Sequence, residues 1–196
     1  MNVNIMDERW NKLLAPGRRK KERQGGDQST RADETRTEIE RDYDRILFST
    51  PVRRLSDKTQ VFPLDKNDSV RTRLTHSHEV SNLARSIGMA LAFNYKIAGE
   101  SDAAKRDIPA LLAAIGLVHD LGNPPFGHQG EAAIQSWFTD HRVSVLESAD
   151  RPLSEHQKED FLKFEGNAQA FRLVTRLQLL NDDFGLDLTY ATLSAM

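Results

Sequence analysis

Read as a string of apolar and polar positions, the chain shows helical spacing almost throughout, and strand-like alternation is nearly absent. From Arg36, "RTEIERDYDRILFST" places Ile39, Tyr43, Ile46 and Leu47 at helical intervals. A second helix carries Val80, Leu83, Ala84, Ile87 and Leu91 on one face, after a start rich in Thr and Ser. A third is predicted from Asp107 as N-cap, with Pro109 in its first turn. It continues as "IPALLAAIGLVHDLG", apolar nearly all round, which marks it as the buried helix of the domain. Gly122, Pro124 and Pro125 stop it. Further helices are predicted at 129–139, 154–164 and about 167–181, the last with Asn167 as its cap. Between the first two helices lies "VRRLSDKTQVFPLDKNDSVRTRLTHS", whose Pro63 and Asp-Lys-Asn-Asp turn suit one short β-hairpin near residues 59–73. The expected fold is an all-α domain over 36–196.

Residues 1–35 break this pattern. After an apolar patch at Trp10, Leu13 and Leu14 comes "PGRRKKERQGGDQSTR", charged, glycine-rich and without apolar periodicity. It reads as a flexible leader. Its basic cluster, Arg18, Arg19, Lys20, Lys21 and Arg23, has two readings, a phosphate contact or a solvated charged linker; the second is preferred because charge runs usually lie in water.

Composition narrows the function. The 196 residues allow a domain with a proper core, and a net charge of −2 gives no global argument for nucleic acid or an anionic membrane. With no cysteine, disulfides, thiolate nucleophiles and cysteine-based zinc sites are excluded. No apolar run reaches membrane-span length and no signal-peptide core is present, so a soluble, cytoplasmic protein is the expectation.

The chemistry gathers in "GLVHDLGNPPFGHQGE", Gly116 to Glu131. His119 and Asp120 end an apolar helix, where an unpaired charge is costly and an aspartate opposes the helix dipole. One reading is a satisfied core histidine beside a terminal aspartate. A bound divalent metal answers both objections, since imidazole and carboxylate together suit Mn, Fe, Co, Ni or Zn. Adjacent helical residues diverge by about 100°, so the ion would lie off the helix end and take a ligand from another helix. His76, near the start of the Val80–Leu91 helix, is placed to supply it; His78 is expected at the surface. His128 and Glu131, at i,i+3, share a face, so that Glu131 can orient the imidazole as an acid/base catalyst. The alternative for this pair is a helix start with a first-turn acid.

Five ordered segments, "ERDYDRILFSTPVRRLSDKTQVFPL", "RTRLTHSHEV", "HDLGNPPFGHQGE", "FEGNAQAFRL" and "GLDLTYATL", make the chain resemble the HD-domain phosphohydrolases, and among them the deoxynucleoside triphosphate triphosphohydrolases, the dGTPase family. The resemblance implies an HD-domain helical bundle and a divalent metal, Mg among the candidates, held by His76, His119 and Asp120. It makes His128 and Glu131 the catalytic pair. Gln60 matches a glutamine that reads the sugar 3′-hydroxyl, and Arg73 an arginine that contacts phosphate, a task for which a guanidinium's fork of donors is suited. Asn123 and Asn167 join them as substrate-binding candidates; Asn123 stands where many relatives carry histidine, and its amide can still donate a hydrogen bond. The implied reaction is hydrolysis of a deoxynucleoside triphosphate to deoxynucleoside and inorganic tripolyphosphate.

In the family a further aspartate, beyond the "LTYATL" segment, completes the metal site. Asp140, Asp150, Asp160, Asp182, Asp183 and Asp187 do not sit in a comparable apolar helix. The expectation is therefore the N-terminal portion of a longer enzyme, with impaired activity and exposed apolar surface. Relatives form homo-oligomers, and some bind single-stranded DNA, for which this sequence offers no support. Two other readings stand beside the enzyme: another HD-type nucleotide phosphohydrolase, and a non-catalytic subunit that binds nucleotide or a full-length partner.

Overall fold

The computed structural model describes residues 3–24, 34–58, 60, 67, 69–147, 152–178 and 182–196. Its helices are α1 (Val3–Leu13), α2 (Arg19–Gln24), α3 (Glu38–Leu47), α4 (Thr50–Arg54), α5 (Arg73–Met89), α6 (Asp102–Val118), α7 (His128–Asp140), α8 (Glu155–Leu162), α9 (Gly166–Arg172) and α10 (Tyr190–Ala195). Single π-helical turns extend α5 and α9 and follow α7. No strand occurs among the described residues, so the all-α reading holds. At the expected hairpin, Gln60 N donates to Arg71 O at 3.2 Å and Arg73 N to Lys58 O at 2.8 Å, an antiparallel pairing of the two ends. Residues 59, 61–66 and 68 lie outside the described residues.

The central helix is α6. Its first half enters a cluster with Leu14, Ile39, Ala92, Ala98 and Ala191 through Ala104 and Ile108. Its second half enters another with Ile46, Val52, Leu55, Ala170, Val174, Leu186 and Leu188 through Ala114, Leu117 and Val118. The helix starts earlier than predicted. Ser101, not Asp107, is the N-cap, its hydroxyl accepting from Ala104 N, and Pro109 lies inside the helix. Gly88 of α5 faces it: a Cβ there would stand 2.7 Å from Pro109 Cα, so the missing side chain is what lets the two helices meet at the proline.

What α5 packs against α6 is also not its apolar stripe. The buried positions are Arg73, Ser77, Ser81 and Gly88, whereas Leu83 and Ile87 are 64% and 59% exposed. Small residues permit a closer approach than leucine would. Ser81 Oγ donates to Ala113 O at 2.8 Å, and a Cβ on Gly116 would lie 2.7 Å from Ser81 Cα. The contact aligns the start of α5, with Arg73 and His76, beside the end of α6, with His119 and Asp120.

The leader is folded where it is described. Arg18, expected in solvent, is 6% exposed. Its guanidinium pairs with Asp42 at 2.7 Å and Glu38 at 2.7 Å, and donates to Asp187 O. Asp42, fully buried, accepts in turn from Thr189 N, Thr189 Oγ1 and Thr192 Oγ1 at 2.7–2.8 Å. Arg19 donates to Thr175 O and Asp183 O, and Lys20 pairs with Asp182. Three of the five basic residues thus hold the 182–192 segment. A buried arginine reads as part of a charge run in sequence because its acids lie elsewhere in the chain.

Candidate active site

The tight α5–α6 crossing puts the His76 and His119 rings 5.3 Å apart between centroids, inclined at 68°. His119 caps the end of α6, and its Nδ1 lies 2.8 Å from Gly116 O. A carbonyl only accepts, so Nδ1 carries the proton and a neutral His119 keeps the Nε2 lone pair for a ligand. Asp120, 3% exposed, accepts on Oδ1 from Arg73 Nη1 and from Asn123 Nδ2, both at 2.5 Å. Its Oδ2 is buried without a hydrogen-bond partner. Among the described residues no three imidazole or carboxylate groups converge as a metal-binding cluster. The carboxylate is turned toward Arg73. Of the further aspartates, Asp182 pairs with Lys20 and Asp187 with Arg45, Asp140, Asp160 and Asp183 are exposed, and Asp150 lies outside the described residues.

Arg73 is thus 4% exposed and engaged within the protein, its Nη2 also donating to Pro124 O at 3.3 Å. Its Nε is buried and unpartnered, as are Ser77 Oγ one turn along α5 and Gln60 Oε1. With Asp120 Oδ2, the Arg73 and Ser77 atoms leave three buried polar atoms unsatisfied by the described residues around the start of α5, which is how a site for water or a polar ligand presents itself. Lys58, which the sequence reading did not single out, belongs here. Burial holds its amine below the usual lysine range, the nearby Arg73 and Arg54 charges add to this, and Asp120 opposes it. Its only signal was its place two residues before Gln60 in "KTQV".

The second half of the site starts at a strained turn. Phe126 has φ +67°, a conformation costly outside glycine, and Gly127 follows at +56° as the N-cap of α7. The turn sends His128 outward, its side chain 95% exposed, while Glu131 points in. His128 Nδ1 lies 2.8 Å from Glu131 Oε2. That hydrogen bond, with the carboxylate's charge, raises the imidazole above its ordinary value, and the same bond holds Glu131 below the usual carboxylate range against burial. Glu131 Oε1 accepts from Gly166 N at 2.8 Å. The pair is therefore an oriented imidazole whose Nε2 has no partner among the described residues.

Asn167 is not the cap of α9. Glu165 takes that position, its carboxylate accepting from Ala168 N at 2.6 Å because it reaches the free amide from outside the helix. Asn167 is exposed and donates to Glu165 at 2.9 Å. So the structure brings His76, His119, Asp120, Arg73 and Asn123 together and pairs His128 with Glu131, with Gln60 two residues along the chain from Lys58. Asn167 stands on the surface beyond Gly166.

Residues 73–181, more than half of the chain, match the HD domain family. Among curated proteins, the chain is 45% identical over 195 residues to a deoxyguanosinetriphosphate triphosphohydrolase-like protein of Listeria monocytogenes, covering 96% of this chain and 41% of that protein. The same description belongs to a Synechocystis protein, 45% identical over 190 residues (94% and 41% covered), and to one of Pseudomonas aeruginosa, 40% identical over 188 residues (94% and 40%). The chain spans about two fifths of the length of these relatives.

Proposed function

This chain belongs to the HD domain family, and on that premise we propose that it carries the N-terminal part of the active site of a metal-dependent deoxynucleoside triphosphate triphosphohydrolase. The observation that carries the proposal is the pairing of His76 and His119 at 5.3 Å, with a buried, unpartnered carboxylate oxygen on the next residue, Asp120. Two imidazole nitrogens and one carboxylate oxygen are a donor set whose chemistry suits a divalent ion, so His76, His119 and Asp120 Oδ2 would hold it. Such an ion polarises a phosphate oxygen and lowers the pKa of water.

The protein's own groups account for the rest of the chemistry. In the hydrolysis a water oxygen bonds to the α-phosphorus, the bond to the 5′-oxygen breaks, and tripolyphosphate leaves from a deoxynucleoside. His128, its Nδ1 held by Glu131, moves a proton to or from the reacting oxygens at Nε2. Arg73 and Lys58 set positive charge beside the phosphates, Arg73 while steadying Asp120. Asn123 orients Asp120 through its amide and takes the position of a substrate contact; Gln60 offers its amide to the sugar 3′-hydroxyl, and Asn167 stands at the outer edge. The names of the relatives support guanine as one accepted base.

The test is incubation of the protein with Mn²⁺ or Co²⁺ and each deoxynucleoside triphosphate, measuring tripolyphosphate beside orthophosphate. Tripolyphosphate released in step with deoxynucleoside is the expected result. Release of orthophosphate or pyrophosphate alone would sink the proposal.

A further inference from the structure

Three glycines where α6, α7 and α9 meet have no room for a side chain, but what crowds them differs. A Cβ on Gly122 would lie 1.9 Å from Gly166 O and 2.3 Å from Ala170 N, and one on Gly130 would lie 2.1 Å from Pro125 O. Those are backbone atoms, so these two glycines serve the packing of the chain. A Cβ on Gly166 would instead meet Asn123 Oδ1 at 2.1 Å and Glu131 Oε1 at 2.7 Å. Both are ends of side chains, and both side chains belong to the candidate site. Gly166 has no positive φ, so its backbone conformation does not demand glycine. The site demands it.

The same residue supplies a donor. Glu131 is held at both oxygens, Oε1 by Gly166 N and Oε2 by His128 Nδ1, each at 2.8 Å. A carboxylate held at one oxygen rotates about its last bond, and the imidazole would follow it. Asn123, in the space a Gly166 side chain would fill, donates from its Nδ2 to Asp120.

We propose that Gly166 is a positioning residue for both halves of the site: its N–H and its missing side chain fix Glu131 against His128, and the space it leaves seats the Asn123 amide on Asp120. The inference rests on the reading of His128 and Glu131 as an acid/base pair.

Gly166→Ala tests it. The collisions fall on side-chain ends, so the variant is expected to keep its helical circular dichroism and its thermal midpoint within about 4 °C. The titration of His128, followed by NMR at its ring Cε1–H, is expected to fall to that of Glu131→Gln. In an active preparation kcat drops about 100-fold, the effect of a roughly 1 Å misplacement, with KM little changed. A folded Gly166→Ala protein whose His128 titrates as in the parent overturns the proposal. If that variant does not fold, Glu131→Ala reads the contact from the other side. The Gly166 amide is then expected to move upfield and lose exchange protection, and an unmoved Gly166 amide overturns the proposal equally. Neither NMR readout needs substrate, so a moved His128 titration with no nucleotide hydrolysis would count against the hydrolase reading alone.

Discussion

His128 is held at one ring nitrogen and open at the other, and its charge depends on the partner at the held end. Its folded pKa lies above the ordinary histidine value because Glu131 accepts from Nδ1. The stabilisation from this contact is therefore complete below the ordinary value and lost as pH rises through the raised one. Glu131, lowered by the same contact, contributes above the ordinary carboxylate value and loses the contribution as pH falls through its own lowered one. One interaction thus spans a window between the two shifted values. The NMR midpoint of His128 is expected above about 6.5 in the parent and lower in Glu131→Gln; equal midpoints would mean that the pair does not exist in solution. His128→Ala is expected to cut turnover by roughly 10²–10⁴-fold. Its thermal midpoint should fall only slightly, because the side chain is 95% exposed and solvent screens its contact with Glu131.

At the scale of elements, the site depends on how closely two helices approach. The α5–α6 contact uses Gly88 against Pro109 and Gly116 against Ser81, and the distance it sets carries over to the His76–His119 pair at one end. Gly116→Ala places a Cβ 2.7 Å from Ser81 Cα, a backbone atom that yields only if the helix moves. A loss of about 1–3 kcal/mol is expected in urea unfolding, as for other overpacked cores, and an unchanged midpoint would show that the helices are not in such contact. This arrangement was only half legible. The apolar run ending in His119–Asp120 announced a buried helix, and "HQGE" announced the His128–Glu131 contact at i,i+3. The face by which α5 packs was not readable, because Ser77, Ser81 and Gly88 look like solvent-facing positions beside Leu83 and Ile87. The early start of α6 was hidden by Pro109, whose usual place is a first turn and which Gly88 allows here in the interior.

Across the whole molecule, the residues that looked least structural tie distant parts together. Arg18 sits in a run of like charges, and periodicity carries no sign that Asp42, Glu38 and Asp187 wait for it. Long-range ion pairs leave no local pattern to read. Arg18→Ala would leave a fully buried Asp42 without its counter-charge, at a cost of about 3–5 kcal/mol. Urea unfolding of the variant measures this, and a loss under about 1 kcal/mol would mean that the carboxylate finds water.

That clasp also sets an order of events during synthesis. Asp42 takes its partners Thr189 and Thr192 from 147 and 150 residues downstream, and Arg18 reaches 169 residues to Asp187. At about 5–20 residues per second, roughly 7–30 s pass between the emergence of Asp42 and that of Thr189. For that interval a carboxylate destined for the interior stands in water, and the face of α3 that will meet the 187–192 segment has no cover. A chaperone or a protease that recognises unfinished chains meets this protein in that state. The segment from Asp187 to Thr192 is what ends the exposure.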